Sequence, residues 1–348
     1  MSEQSATGSR KVDHIRINLE EDVAGKGITT GLERYRFEHQ ALPELDLDDV
    51  DTGTRFLGHT LRLPLLISSM TGGVPEGGRI NRNLARAAQA RGVAMGLGSG
   101  RIALEDAAAR AHFQVRRYAP DALLFANLGA VQLLYGYDAR RCRDLVRALE
   151  ADALILHLNP LQEAVQPEGD TRFAGLLERI GAVCAGLDVP VVVKEVGWGI
   201  SGDTVRRLGE VGVAAVDVAG AGGTSWSEVE RWRGDGRQAA IAAAFAGWGI
   251  PTADALVAAR HAAPGLPIVA SGGVRDGVEA AMCLALGADL VGLASPLLKA
   301  AARGADDAVE ALDILGAQLR IAMFGIGVRD IAALRGTTRL RRIMPQHL

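Results

Sequence analysis

Four polar side chains, His157, Asn159, Gln162 and Glu163, crowd into one short stretch, His157-Leu-Asn-Pro-Leu-Gln-Glu163. The stretch follows the apolar run Ala153-Leu-Ile-Leu156, which reads as a buried strand. Pro160 stops that strand, because it has no amide hydrogen to donate to a sheet. A neutral imidazole, two amides and a carboxylate can orient an anionic ligand and hold a hard cation. A strand end kept only for structure needs fewer polar groups of fewer kinds.

Other segments carry chemistry of a related kind. Ala270-Ser-Gly-Gly-Val-Arg275 and Gly287-Ala-Asp-Leu-Val-Gly-Leu-Ala-Ser295 are Gly-rich turns around the last two apolar runs. Such turns let backbone amides approach a phosphate, and a helix start adds partial positive charge. Asp217-Val-Ala-Gly-Ala-Gly-Gly-Thr-Ser-Trp226 and Ser69-Met-Thr-Gly-Gly73 have the same character, with glycines that permit close packing against a flat or phosphorylated ligand. Lysine is scarce, so Lys194 inside the apolar run Val191-Val-Val-Lys-Glu-Val196 is conspicuous. A buried ammonium needs an anion: Glu195 or Asp217 as a structural partner, or a bound cofactor ring. Arg101, in Gly98-Ser-Gly-Arg101, is placed to bind phosphate, and Arg10-Lys-Val-Asp-His14 is a second basic cluster.

The elements that position these residues repeat eight times. The apolar runs are Leu65–Ser68, Val93–Leu97, Ala122–Asn127, Ala153–His157, Val191–Val196, Ala214–Ala219, Ile268–Ser271 and Leu290–Ala294. They are rich in Val, Ile and Leu with little alternation, as parallel strands buried on both faces must be. Helical stretches lie between them, such as Arg79–Arg91 and Phe173–Leu187. Eight such units predict an α/β protein with a (β/α)8 TIM barrel, rather than an open doubly wound sheet. The polar clusters then fall at the carboxyl ends of the strands, the edge where such barrels build their sites. A single domain is expected over 1–348, with an N-terminal extension over 1–60. A C-terminal helix is expected over 306–327, and beyond it an Arg-rich tail, 330–348, that reads as loose. Ser225–Gly249 is long for a connection and is expected to host part of the site.

Composition narrows the class. Apolar residues make up 48% of 348 residues, enough for a large core. Net charge is −3, with acids and bases interspersed, which argues against a nucleic-acid binder. No run is long enough to span a bilayer, and the polar N-terminus lacks a signal core. Cys142, Cys184 and Cys283 sit in helical patterns and read as reduced core thiols of a cytoplasmic protein.

Taken together, Arg10-Lys-Val-Asp-His14, Thr29-Thr-Gly-Leu-Glu33, Ser69-Met-Thr-Gly-Gly73, Gly98-Ser-Gly-Arg101, Ala126-Asn-Leu-Gly129, the His157–Glu163 stretch, Val193-Lys-Glu-Val-Gly197, Asp217–Trp226 and Ser271-Gly-Gly-Val274 resemble the type 2 isopentenyl diphosphate isomerases. The resemblance runs in order from about residue 10 to about residue 328. It implies an FMN-bound barrel that interconverts isopentenyl and dimethylallyl diphosphate, with NADPH as reductant and Mg²⁺ as cation. It also implies a homo-oligomer, a tetramer or octamer. FMN would meet Ser69, Met70, Thr71, Ser99, Asn127, Lys194, Thr224, Gly273, Arg275, Ala294 and Ser295. Arg10, Lys11 and Arg101 would take the diphosphate, and His157, Asn159 and Gln162 would line the pocket. Glu163 would hold the cation. Glu230 reads as an ordinary exposed helix acid that could serve as a secondary proton donor.

Two other readings compete. An FMN-dependent oxidoreductase of the 2-hydroxy-acid oxidase type shares the barrel and the Gly-rich phosphate site. It needs a His base with an adjacent Arg after the sixth strand, where this chain has Gly-Gly-Thr-Ser-Trp226. A non-catalytic flavin-binding barrel would have no use for His157, Asn159, Gln162 and Glu163 together.

Overall fold

A computed structural model describes the chain from Glu3 to Ile343, with side chains from Val12 onward. Its centre is a closed barrel of eight parallel strands. These are β1 (Leu65–Ile67), β2 (Ala94–Gly96), β3 (Leu124–Gly129), β4 (Ala153–His157), β5 (Val191–Lys194), β6 (Ala215–Asp217), β7 (Ile268–Ala270) and β8 (Leu290–Leu293). Each expected run overlaps one of them, and β3 extends two residues beyond the expected Asn127. β8 pairs with β1 to close the ring, with Val291 opposite Leu65.

The pattern explains the closure. β1, β2, β5 and β6 are buried at every residue, so both faces of the sheet must be covered. Helices cover the outer face. Pro75–Arg91 turns Ile80, Leu84, Ala87 and Ala88 inward, the spacing of one helix stripe. Leu176–Gly186 and Ala305–Gly325 fall where helices are expected. Cys142 and Cys283 are buried in such helices and Cys184 is partly buried; all three are free thiols.

The floor of the barrel is plugged by a hairpin, Thr54–Phe56 paired with His59–Leu61. Phe56 and Leu61 join Leu66, Phe125, Ile155, Val192 and Leu290 in one apolar cluster. At this end the acids are matched. Asp152 accepts from the Leu124 amide and from Arg116 at 2.7 Å. Asp289 accepts from Arg260 at 2.6 Å and pairs with Arg335 at 3.1 Å.

One expectation is corrected. The tail is not loose where it is described: Leu340–Arg342 forms an antiparallel pair with Tyr35–Phe37, and the Ile343 amide donates to the Arg34 carbonyl. Arginines on an edge strand still satisfy a backbone ladder, because the ladder does not use side chains. Arg10 and Lys11 lie in the helix Glu3–Glu20, and their side chains fall outside the described residues. Among the described residues no helix is long and apolar enough to cross a membrane.

Candidate active site

A cavity of about 1450 Å³ opens at the carboxyl ends of the strands. Every candidate residue whose side chain is described lines it. Ser69, Met70 and Thr71 come from the loop after β1, Ser99 and Arg101 from that after β2, and Asn127 from β3 itself. β4 and the turn after it give His157, Asn159, Gln162 and Glu163, and β5 gives Lys194. Thr224, Gly273, Arg275, Ala294 and Ser295 complete the ring after β6, β7 and β8. The long connection after β6 contributes Trp226 and Arg233.

Backbone pairing sets one row of this site. His157 is in register with Lys194, and Lys194 with Asp217, across three neighbouring strands. Burial, and next the Lys194 charge, push the His157 imidazole down to about 3, so the ring is neutral. Its Nδ1 meets Asn127 Oδ1 at 2.8 Å. With the amide oriented this way Nδ1 carries the proton, and Nε2 is left as an acceptor.

Neither carboxylate expected as a partner for Lys194 hydrogen-bonds it. Its Nζ donates to the Glu195 backbone carbonyl at 2.5 Å. The Glu195 carboxylate turns away and accepts from the amides of Val196, Gly197 and Trp198. Burial still pushes it up to about 7. Asp217 is fully buried; its Oδ1 accepts from Ser271 at 2.6 Å and from the Ala219 amide. The ammonium thus sits at the cavity wall with a single hydrogen-bonded partner among the described residues.

Buried polar atoms without a partner concentrate at this rim. Among the described residues they are Ser68 Oγ, Ser69 Oγ, Asn159 Oδ1, Trp198 Nε1 and Asp217 Oδ2, against Arg335 Nε alone at the floor. An orphaned buried polar atom costs about 1–3 kcal/mol, and Ser68, Ser69 and Asn159 line the cavity, so its wall is a surface that expects a polar ligand. A flat nucleotide with ring heteroatoms, ribityl hydroxyls and a phosphate fits that donor set.

The Gly-rich loops also do a job that their sequence does not announce. A Cβ at Gly222 would collide with the Thr30 backbone, and one at Gly272 with that of Gly220. Gly223 would likewise meet Gly273. Their closeness first lets the loops after β6 and β7 pack on each other and on the N-terminal extension. That packing accounts for Thr29-Thr-Gly-Leu-Glu33, a motif without an evident ligand. Gly273 and Thr224 still face the cavity.

Several functional neighbours escape sequence reading. Glu230 is not an exposed acid: it is 2% exposed, bound by His14 Nε2 at 3.0 Å and Arg233 Nη1 at 2.5 Å. His14 also packs edge-on against Trp226, 5.1 Å between centroids. Arg233 reaches Glu168 at 2.6 Å, so one arginine ties the N-terminal helix to the loop after Glu163. Gln132 and Asp170 form a second network. Gln132 Nε2 donates to Asp170 Oδ2 at 2.7 Å, and the Asp170 amide donates to Glu163 Oε2 at 2.7 Å. Glu163 Oε1 accepts from Asn159 Nδ2 at 2.8 Å. Only the proximity of Gln132 to Asn127-Leu-Gly129, and of Asp170 to Glu163, could have flagged the pair.

A closed parallel barrel with a polar, Gly-lined rim defines the class of the FMN barrels. The model of the FMN-dependent dehydrogenase family matches residues 6–154 and 161–341. Solved structures agree on the fold. A mandelate oxidase superposes with a TM-score of 0.65 at 22% identity, covering 98% of this chain and 99% of that one. A Pediococcus acidilactici protein described as a putative lactate oxidase gives 0.70 at 17%, covering 98% and 94%. Sequence goes further. An isopentenyl-diphosphate delta-isomerase of Xanthobacter autotrophicus is 54% identical over 334 residues, 96% of this chain and 97% of that protein. Those of Nostoc sp. and Stutzerimonas stutzeri are 50% and 55% identical, covering 98% and 96% of this chain and 98% and 97% of theirs. The chain belongs to the FMN-dependent dehydrogenase family and, within it, to the isopentenyl-diphosphate delta-isomerases. The oxidase alternative is set aside. Its structural likeness carries only the fold, and the histidines lining this cavity are His14 and His157, neither after β6.

Proposed function

We propose that this chain interconverts isopentenyl diphosphate and dimethylallyl diphosphate at the rim of the barrel, with reduced FMN, NADPH as reductant and Mg²⁺. One observation carries the reading: Lys194 and the polar set His157, Asn159, Gln162, Glu163 and Arg101 line one cavity. That cavity is larger than the usual small-ligand pocket, with room for a flavin nucleotide and a short second ligand.

Moving the double bond adds a proton at one carbon and removes another two bonds away. An unactivated alkene is a very weak base, so a side-chain acid alone is a poor match. Bound and reduced, FMN supplies a nitrogen that can relay protons and an electron-rich ring that stabilises positive charge. Lys194 favours the anionic form of that ring. Ser69, Met70, Thr71, Ser99, Asn127 and Thr224 hold the flavin, and Gly273, Arg275, Ala294 and Ser295 receive its phosphate. His157, held neutral, keeps Nε2 as an acceptor inside the site, and Asn159 and Gln162 line the substrate pocket.

Glu163 is the proposed cation ligand. A lone carboxylate is enough for Mg²⁺, which binds through one or two carboxylates, waters and the substrate's own phosphates. Arg101 takes the diphosphate, and Arg10 and Lys11 are assigned to it by the family motif. Glu163→Gln is expected to weaken Mg²⁺-dependent substrate binding about 10–100-fold while FMN stays bound. Equal Mg²⁺ dependence in variant and parent removes that role.

Exposed Trp232, Ile241 and Trp248, all in the connection between β6 and β7, support a homo-oligomer, since exposed large apolar groups favour association; a tetramer or octamer is the size that the family resemblance implies. Three free thiols support a cytoplasmic setting. The deciding experiment is an anaerobic assay of dimethylallyl diphosphate formation, with FMN, Mg²⁺ and NADPH each omitted in turn. Product that forms without flavin, or reductant consumed mole for mole with product, defeats the proposal.

A further inference from the structure

We propose that Gln132 and Asp170 are positioning residues that present Arg101 to the substrate's diphosphate and tie it to the carboxylate of the cation. The inference rests on the function proposed above and names two residues that the motifs do not include.

Arg101 is held without being used up. Its Nη1 donates to Gln132 Oε1 at 3.3 Å. Its two acidic neighbours stand further off: Asp170 Oδ2 at 3.6 Å from Nη1, and Glu105 Oε1 at 3.6 Å from Nε. Neither is within hydrogen-bond reach, so charge centres the guanidinium while most of its five donors stay uncommitted among the described residues. A planar fork with free donors in a fixed place is what bidentate phosphate recognition requires.

Asp170 and Arg101 require the same orientation of Gln132. The two ends of an amide are nearly equal in shape, but a guanidinium only donates and so takes the carbonyl end. An ionised carboxylate only accepts, so the NH₂ end must face Asp170, and the 2.7 Å bond is consistent with this. The carbonyl end is then the one that reaches the guanidinium. Burial of Gln132 at 8% exposure removes water as a competing partner. The Asp170 backbone amide binds Glu163 Oε2 while its carboxylate stands 3.6 Å from Arg101, so Asp170 adjoins the assigned ligands of both the diphosphate and the cation. Glu105, the other acid beside Arg101, is itself fixed by the Tyr137 hydroxyl at 2.7 Å.

The test is calorimetric titration of flavin-loaded protein with inorganic diphosphate and Mg²⁺. Gln132→Leu and Asp170→Asn are each expected to weaken binding about tenfold, with the flavin spectrum and flavin affinity unchanged. In turnover the loss falls on KM rather than kcat. In an Arg101→Leu background, Gln132→Leu is expected to cost nothing more, which a purely structural role would not produce. Gln132→Met serves where the leucine variant fails to retain flavin. Parent-like diphosphate binding in both Gln132 and Asp170 variants, while Arg101→Leu abolishes it, overturns this inference alone. Parent-like binding in Arg101→Leu overturns the diphosphate site itself, and the inference with it.

Discussion

The two ends of this barrel obey opposite rules. At the floor, Phe56 and Leu61 fill the bore, and Asp152 and Asp289 are each paired with arginine. At the rim, Lys194 and a neutral His157 line one mouth with the buried acids Glu195 and Asp217 behind them, and among the described residues five buried polar atoms there lack partners. One end is nearly complete as it stands, with Arg335 Nε the lone unpaired buried atom among its described residues. The other is completed by what it binds, and its polar groups are costly until then. Stability and function are therefore separable along the barrel axis, as the fold permits.

Four substitutions test that division, in falling order of expected effect. Phe56→Ala is expected to destabilise the protein by about 3–5 kcal/mol through lost contact and a cavity. Its surviving folded fraction binds FMN as the parent does. Denaturant unfolding beside flavin titration checks both halves, and a parallel loss of flavin affinity would erase the contrast.

The second concerns acid. His157 has its pKa depressed from 6.5 to about 3 in the folded protein. Between those values the unfolded chain binds a proton that the folded one refuses. Stability of the flavin-free protein must then rise with pH across that window and fall on acidification, by on the order of a few kcal/mol. His157→Gln is expected to flatten this slope. Identical slopes in variant and parent would mean that the ring is not held neutral.

Third, Lys194→Ala removes the one buried ammonium at the rim among the described residues. Flavin affinity is expected to fall at least tenfold, about 1.4 kcal/mol, or the flavin to become harder to reduce, with little loss of stability. Fluorescence titration and anaerobic reduction decide it. Unchanged affinity together with unchanged reduction assigns Lys194 to structure. Smallest of all, Ser69→Ala removes an orphaned hydroxyl. It is expected to stabilise the flavin-free protein slightly, by about 1 kcal/mol, while weakening flavin retention. A destabilised flavin-free variant would show that the hydroxyl has a protein partner.

Where sequence reasoning worked, the signal was local. The eight strands are legible because a strand buried on both faces must be apolar throughout, and Val191-Val-Val193 announces that without help. The rim residues are legible because each follows such a run. Where it failed, the deciding partner was far away in sequence. Glu230 reads as an exposed acid until the helix Glu3–Glu20 brings His14 onto it. The Arg-rich tail reads as loose until Tyr35–Phe37 offers it a strand to pair with.

Sequence alone determined where the eight barrel strands fall, that strands and helices alternate, and that polar groups gather at one edge, because periodicity and burial act on neighbours in the chain. Only the tertiary structure decided that Lys194 turns from the Glu195 carboxylate toward the cavity, that the glycines of two loops make room for each other, and that Gln132 bridges Asp170 and Arg101. Hydrogen-bond direction and steric contact depend on where distant strands end. Closing the ring sets those ends.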